Sequence, residues 1–221
     1  MRILAVTILT VVIFSANHAL ALTDGQTALV SKLVNSNTFV YPREDIADIR
    51  DIGPDALQPI ITAYQSTEDH TRKAQLARLL WDIGLESDEA SSVLLEDAKT
   101  EHRTLRVNVQ YALGSVSADE VVVETLLDNM RNDPNAFFRD KAACALAYNQ
   151  KHLSYDQKYD LYRGLIEGLS DEKPQVRSIS IQALRIHTGQ TMGFHPEALV
   201  GSRDESIARW YTWLQDYQQS L

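Results

Sequence analysis

Apolar side chains between residues 51 and 189 recur at the three- and four-residue intervals of amphipathic helices, and they do so in pairs of segments. Short polar stretches separate the two members of each pair. The first members cover residues 54–64, 88–98, 118–130 and 155–169. The second members cover residues 71–84, 104–114, 136–148 and 174–187. The pattern therefore predicts an all-α chain built from helical hairpins.

Residues at the ends of these segments are typical of helix boundaries. Serines, whose hydroxyls accept hydrogen bonds from free helical amides, precede three segments: Ser87, Ser117 and Ser154. Glycines, which tolerate left-handed backbone after a helix, follow four others: Gly53, Gly84, Gly114 and Gly189. Segments 27–36 and 43–53 show a weaker pattern of the same kind and predict a divergent first hairpin.

Matching residues return at steps of 31 to 38 positions. The repeated groups are Asp51-Ile52-Gly53 with Asp82-Ile83-Gly84, and Ala112-Leu113 with Ala145-Leu146 and Ala183-Leu184. An arginine lies six residues before each of these alanines, and one more lies a period upstream: Arg106, Arg139, Arg177 and Arg72. Apolar residues surround much of each second helix, which requires neighbours on several sides. The repeat predicts an α-solenoid of about five hairpins.

Three stretches resemble the HEAT-repeat family, particularly its short bacterial members. They are DIGPDALQPIITAY (51–64), DPNAFFRDKAACALA (133–147) and DEKPQVRSISIQALRIHTG (171–189). The resemblance implies a right-handed curved stack of hairpins that recognises other macromolecules and carries no universal catalytic residue. The second unit departs from the pattern, because Arg78 occupies the place of the expected alanine.

The C-terminal region predicts an end cap. A large apolar stripe at helical spacing comprises Ile207, Trp210, Trp213, Leu214 and Tyr217. A terminal repeat must cover the open end of its core, and Phe194 is predicted to fill the gap beneath this last helix. A ligand-binding aromatic platform is the alternative. The predicted organisation is a weak first unit at 22–53, clear repeats at 54–189 and a cap at 190–221.

The first residues have the three parts of a secretory signal peptide. Arg2 supplies the positive start, Ile3–Phe14 the apolar run, and Ala19-Leu20-Ala21 a small-residue cleavage site. We expect cleavage between Ala21 and Leu22 to remove residues 1–21. The mature protein is then expected to be periplasmic or secreted, without stable membrane insertion. Twelve apolar residues are short for a bilayer span, although an uncleaved anchor is the alternative.

Charge and motif content narrow the function. The formal charge is −9, and −10 once Arg2 is removed, which argues against nucleic acid or an anionic membrane as the main partner. The histidines lack metal-ligand spacing, and the known phosphate-loop, dinucleotide and nucleophile-elbow motifs do not occur. Neither a metal nor a cofactor is expected. The only cysteine, Cys144, is predicted to be a small buried apolar residue.

Two sets of residues are candidates for a site. The repeated arginines Arg72, Arg106, Arg139 and Arg177 either bind an anion or bind loop acids or carbonyls of their own or a neighbouring unit. Asp133 and Asp171 lie six residues before Arg139 and Arg177, which favours internal pairs. The second set contains tyrosines predicted to be exposed: Tyr211 off the stripe of the last helix, and Tyr111 and Tyr148 on successive second helices.

These observations predict a non-catalytic scaffold or adaptor that binds proteins of the cell envelope. Two alternatives stay open. One is an enzyme resembling the HEAT-like chromophore lyases, whose cytoplasmic substrates conflict with export. The other is a binder of cell-wall carbohydrate that uses the C-terminal aromatic residues. The sequence does not indicate an oligomeric state.

Overall fold

The structure is a computed structural model that describes residues 21–149 and 153–220, with the side chains at 148 and 149 left out. Within these residues all regular structure is helical, which confirms the prediction of an all-α chain. The helices are α1 Asp24–Val34, α2 Arg43–Ile52, α3 Leu57–Ser66, α4 His70–Ile83, α5 Asp88–Glu96, α6 Arg103–Val116, α7 Glu120–Asn132, α8 Ala136–Asn149, α9 Tyr155–Gly168, α10 Pro174–Thr188 and α11 Val200–Gln219. A 3₁₀ turn, Pro54–Ala56, precedes α3.

Helix ends follow the chemistry of the boundary residues. Ser87 accepts from the amide of Ala90, and Ser154 forms a reciprocal capping box with Gln157. Gly84 ends α4 in the left-handed conformation, with φ of 62°.

The predicted end of α6 at Gly114 is wrong. The helix continues through Val116, because Val116 is buried in the core and Ser115 donates to the carbonyl oxygen of Trp81. The turn begins only at Ser117, whose backbone is extended.

The helices form two layers with the core between them. The even-numbered helices contact one another in succession from α2 to α10, and each packs against the odd-numbered helices of its own region. In the other layer α1 contacts α3, α3 contacts α5, α7 contacts α9, and α9 contacts α11. Equivalent leucines of four even helices are fully buried: Leu80, Leu113, Leu146 and Leu184. Stacking of successive hairpins thus buries a continuous apolar core.

The register of α4 differs by one residue from the sequence alignment. Leu79 and Leu80, both fully buried, take the places of Ala112 and Leu113 in α6. Arg78 therefore lies at the position equivalent to Tyr111, not at the position of the buried alanine. The side chain of Arg78 is about one-third exposed. The apparent departure from the repeat pattern is a one-residue shift.

Helix α11 packs on α9 and closes this end of the core. Trp210 is fully buried, and Phe194 and Leu214 are nearly so. The preceding loop is held by Arg209, which donates to the carbonyl of Met192 at 2.9 Å and 3.1 Å. These burials support the interpretation of residues 190–220 as an end cap.

Residues 1–20 of the proposed signal peptide lie outside the described residues, so the cleavage site between Ala21 and Leu22 stays a prediction. Leu22 is partly buried against the core, just before α1. No helix in the described part of the chain is both long enough and apolar enough to cross a membrane.

Candidate interaction surface

Two of the repeated arginines connect neighbouring hairpins. Arg106 pairs with the carboxylate of Asp133, and Arg139 binds that of Asp171 through two nitrogens at 2.7 Å and 3.0 Å. Each aspartate belongs to the hairpin that follows its arginine. The side chains of Arg139 and Asp171 are only 8% and 11% exposed. Hydrogen bonding to Asp171 raises the pKa of Arg139 above its ordinary value. These groups serve internal contacts rather than an exposed anion site.

Within its own hairpin, each of Arg139 and Arg177 contacts the loop aspartate through the backbone rather than through the carboxylate. Arg139 does contact Asp133, but through the backbone carbonyl at 2.7 Å rather than the carboxylate. Arg177 likewise donates to the carbonyl of Asp171 at 2.7 Å. Because Arg177 lies in the last repeat, its Nε donates instead to the carbonyl of Pro196 in the cap loop, at 2.8 Å.

Arg72 does not occupy the equivalent position in α4. It donates to the carbonyl of Ser36 at 2.7 Å, in the preceding hairpin. The neighbouring Lys73 pairs instead with Asp97, which follows α5, at 2.9 Å. Tyr64 donates to the same carboxylate oxygen at 2.7 Å. Lys73 thus takes the role predicted for Arg72, in agreement with the one-residue shift.

An aromatic platform, which we define as Trp81, Tyr111 and Cys144, crosses α4, α6 and α8. The rings of Trp81 and Tyr111 are tilted by 30° with centroids 4.6 Å apart. The side chains of Tyr111 and Cys144 are hydrogen-bonded to each other, and all three platform residues are partly exposed. The guanidinium of Arg78 lies 4.3 Å from the centre of the Trp81 ring, within cation–π distance.

Cys144 packs against the core but is only partly buried, rather than fully buried as predicted. Its thiol is half-buried beside Tyr111, and that burial raises the thiol pKa above its ordinary value. Fewer thiolates form at neutral pH, so nucleophilic reactivity is low. Burial likewise raises the pKa of Tyr111, which keeps its hydroxyl neutral. The platform offers apolar faces and neutral polar groups for binding.

An arginine groove of about 440 Å³ borders the platform. We define it by its lining residues, Val40, Tyr41, Arg43, Ile46, Arg50, Arg78 and Asp82. Tyr41 and Ile46 are buried and form an apolar floor, while the arginines project from α2 and α4. Arg78 lines the groove and stacks on Trp81 of the platform, so the groove and the platform form one continuous surface.

Trp81, Arg43 and Arg50 were not selected from the sequence. The spacing of Arg78 and Trp81, three residues apart on one helix, is a visible signal for a stacked cation and ring. Neither Arg43 nor Arg50 repeats in other hairpins, and their approach to α4 depends on the tertiary packing of α2.

The C-terminal aromatic residues singled out in the sequence differ in how much of each side chain is exposed. Trp213 and Tyr217 are partly exposed and stacked at 5.5 Å, and both contact the ring of Tyr162. Tyr211 points away from this cluster with 41% of its surface exposed. The backbone of Tyr148 lies in α8, but its side chain is outside the described atoms.

The arrangement supports recognition through rings, guanidinium groups and an apolar floor. In the part of the chain that the structure describes, no three or more histidine, cysteine or acidic side chains are grouped to hold a metal ion. Compared with models of known protein families and with curated proteins, the chain has no match in either.

Proposed function

We propose that the protein is an exported, HEAT-like α-solenoid that acts as a non-catalytic scaffold or adaptor for other proteins of the cell envelope. The observation that carries the proposal is the continuous surface formed by the arginine groove and the aromatic platform on α2, α4, α6 and α8. Arginine and aromatic side chains dominate the energetic centres of protein interfaces.

The order of helix contacts supports the solenoid part of the proposal. Successive even helices lie side by side, as in stacks of helical hairpins, and pairs such as Arg139 with Asp171 join neighbouring units. A stack presents one helix layer as an extended face. The groove and the platform lie on that layer and span four hairpins.

Export rests on the signal-like N-terminal sequence and is tested separately. We expect the protein purified from its native cells to begin at Leu22 and to fractionate with periplasmic or secreted material. Amino-terminal sequencing of the purified protein measures this directly. Retention of Met1 in a cytoplasmic fraction would contradict export and favour the lyase-type alternative.

The binding proposal is tested by capture of envelope proteins on immobilised 22–221. Trp81→Leu removes the indole while keeping an apolar side chain. We expect the amount of each specifically captured protein to fall at least fivefold. Tyr211→Ala is the matched control, because Tyr211 is exposed on α11 outside the surface. Quantitative mass spectrometry compares the captured sets.

Circular dichroism and thermal melts ensure that both variants keep the fold. Equal capture by the parent and Trp81→Leu proteins would contradict use of this surface. Loss of capture on Tyr211→Ala alone would instead favour binding through the C-terminal aromatic residues.

A further inference from the structure

The arginine groove is positive in a protein whose formal charge is −9. Three arginines line it, against a single carboxylate from Asp82. Exposed side chains of both signs elsewhere give the molecule its net negative charge, so the groove is a local exception. Such a groove attracts ligands of negative charge.

Much of the hydrogen-bonding capacity of these arginines is unused. Arg43 is exposed and takes part in none of the ion pairs or side-chain hydrogen bonds found among the described residues. Arg50 uses Nε and one terminal nitrogen on the carbonyls of Ile83 and Asp82, at 2.7 Å and 2.6 Å. Arg78 uses only Nε, on the carboxylate of Asp82 at 2.9 Å and 3.0 Å. Terminal guanidinium nitrogens of all three remain for a ligand carboxylate.

The remaining surface of the groove is apolar and suits a peptide better than a small inorganic anion. Its floor contains Tyr41 and Ile46, and Val40 at the rim is 78% exposed. Beyond Arg78 the surface continues onto Trp81 and Tyr111. An extended chain advances about 3.3 Å per residue. A short segment can therefore place an acidic side chain in the groove and an apolar one on the platform.

We infer that the arginine groove binds an acidic segment of a partner protein, with an aspartate or glutamate on Arg43, Arg50 and Arg78 and a neighbouring apolar residue on the aromatic platform. The inference rests on the proposed scaffold function and specifies the class of its partner. Nucleic acid is the poorer ligand, because its long phosphate backbone would meet the negative charge outside the groove.

Selection from a display library of random decapeptides on immobilised 22–221 tests the inference. Selected peptides should be enriched in aspartate or glutamate beside an aliphatic or aromatic residue. We expect Arg43→Glu to weaken their binding at least tenfold, because it reverses a charge that faces the ligand carboxylate. Arg43 is exposed, so the change should leave the fold intact. Arg185→Glu is the matched control, because it reverses an exposed arginine on α10 outside the groove.

Two further arms identify the chemistry. Replacing the acidic residues of a selected peptide by asparagine or glutamine should cost at least tenfold in affinity, and 10 mM inorganic phosphate should compete only weakly. A lysine-for-acid version of the peptide should bind Arg43→Glu better than the parent protein. Full competition by phosphate would overturn the peptide assignment in favour of a simple anion site.

The outcomes separate this inference from the scaffold proposal. If binders depend on Trp81 but bind Arg43→Glu and Arg185→Glu equally, the acidic-segment inference is overturned and the interaction surface stands. If binders are basic or uncharged, the inference also fails. If neither Trp81 nor Arg43 affects any binder, or if no binder is enriched, both proposals fail.

Discussion

Asp171 illustrates how one carboxylate can hold two hairpins together. It accepts two hydrogen bonds from Arg139, and it also accepts from the amide of Lys173 at the start of α10. The contact lies in a nearly dry environment, where an unpaired guanidinium is costly. Removal of either partner alone would leave a buried group without its counterion. The ion pair therefore favours the folded arrangement in which both hairpins are in contact.

Asp171→Asn keeps the acceptor for Lys173 but removes the negative charge opposite Arg139. We expect the free energy of unfolding to fall by about 3 kcal/mol, because a buried guanidinium loses its counterion. Asp128→Asn breaks the exposed pair with Lys99 and should cost less than about 1 kcal/mol. Urea denaturation of both variants measures the difference. Equal small losses would contradict a buried role for Asp171.

His187 should make stability depend on pH below neutrality. Burial lowers the pKa of this imidazole, more than its hydrogen bonds to the carbonyls of Leu146 and Ala147 raise it, and Lys158 lowers it further. The unfolded chain takes up the proton first as pH falls below about 6.5. The stabilisation by the neutral side chain is therefore complete above pH 6.5 and is lost as pH falls toward the folded-state pKa.

His187→Asn keeps a hydrogen-bond donor without a group that titrates in this range. We expect its urea midpoint to decline less than that of the parent protein between pH 6.5 and pH 5. His195→Asn, at an exposed histidine, should retain the parent profile. A His187→Asn profile parallel to the parent would show that another group causes the acid sensitivity.

Residue types at repeated positions and the kinds of group they bind were predictable, whereas the particular partner of each arginine was not. The spacing identified Arg106, Arg139 and Arg177, yet the carboxylate that each one binds comes from a neighbouring hairpin or is replaced by a backbone carbonyl. Lys73 was not predicted, because the repeated arginines of the sequence place Arg72 rather than Lys73 in register with Arg106. The aromatic platform depends on contacts between helices about thirty residues apart, which periodicity does not specify.

At the scale of the helix, Gly164 lets α9 approach α7 closely. A Cβ built on this glycine would lie 2.5 Å from Cδ2 of Leu127, a buried side chain, and 3.3 Å from Cε of Met130. Such distances require these core side chains to move. Spacing between the two helices is therefore set by the absence of a side chain at this position.

Gly164→Ala should lower stability by about 1–2 kcal/mol, because overpacking exceeds the gain in helix propensity. Gly201→Ala provides the control, since a Cβ there meets nothing within 4 Å in α11. That change should be neutral or should stabilise by up to about 1 kcal/mol. Thermal and urea denaturation measure both. A stabilising Gly164→Ala would show that α7 and α9 separate without cost.

Helix α11 differs in burial along its length, and this gives a direct test of the cap. Trp210→Ala should destabilise by about 3–5 kcal/mol, because it removes a fully buried ring. Tyr211→Ala, at the adjacent exposed position, should cost less than about 1 kcal/mol. Urea denaturation of both variants provides the measurement. Comparable losses from the two would contradict the cap.

The helices themselves were well predicted because their apolar spacing is strong and short polar turns separate them. The error at Gly114 has a tertiary cause, since packing of Val116 extends α6 beyond a residue that usually ends a helix. The helix caps at Ser87 and Ser154 involve residues three positions apart, so the sequence alone predicts them.

At the scale of the molecule, the main helix contacts among the described residues connect each helix to those of its own and the adjacent hairpins. In a solenoid of the kind we propose, stability is approximately a sum of local terms, so damage at one end need not unfold the other. Trp210→Ala should therefore increase hydrogen exchange in α9–α11 by at least tenfold while leaving α3–α6 near the parent rate. Mass spectrometry after peptic digestion resolves these regions. A uniform increase would indicate one cooperative unit.

The positions of the three tryptophans give the molecule an optical probe of its own. Trp81 contacts the Arg78 guanidinium and the Tyr111 ring, so an occupant of the platform will change its emission and its access to acrylamide. Trp210 is sealed in the cap and brightens or shifts only when α11 lifts. Quencher accessibility thus separates a change at Trp81, where a ligand would bind, from a change at Trp210 in the cap, with the partly exposed Trp213 contributing a third signal.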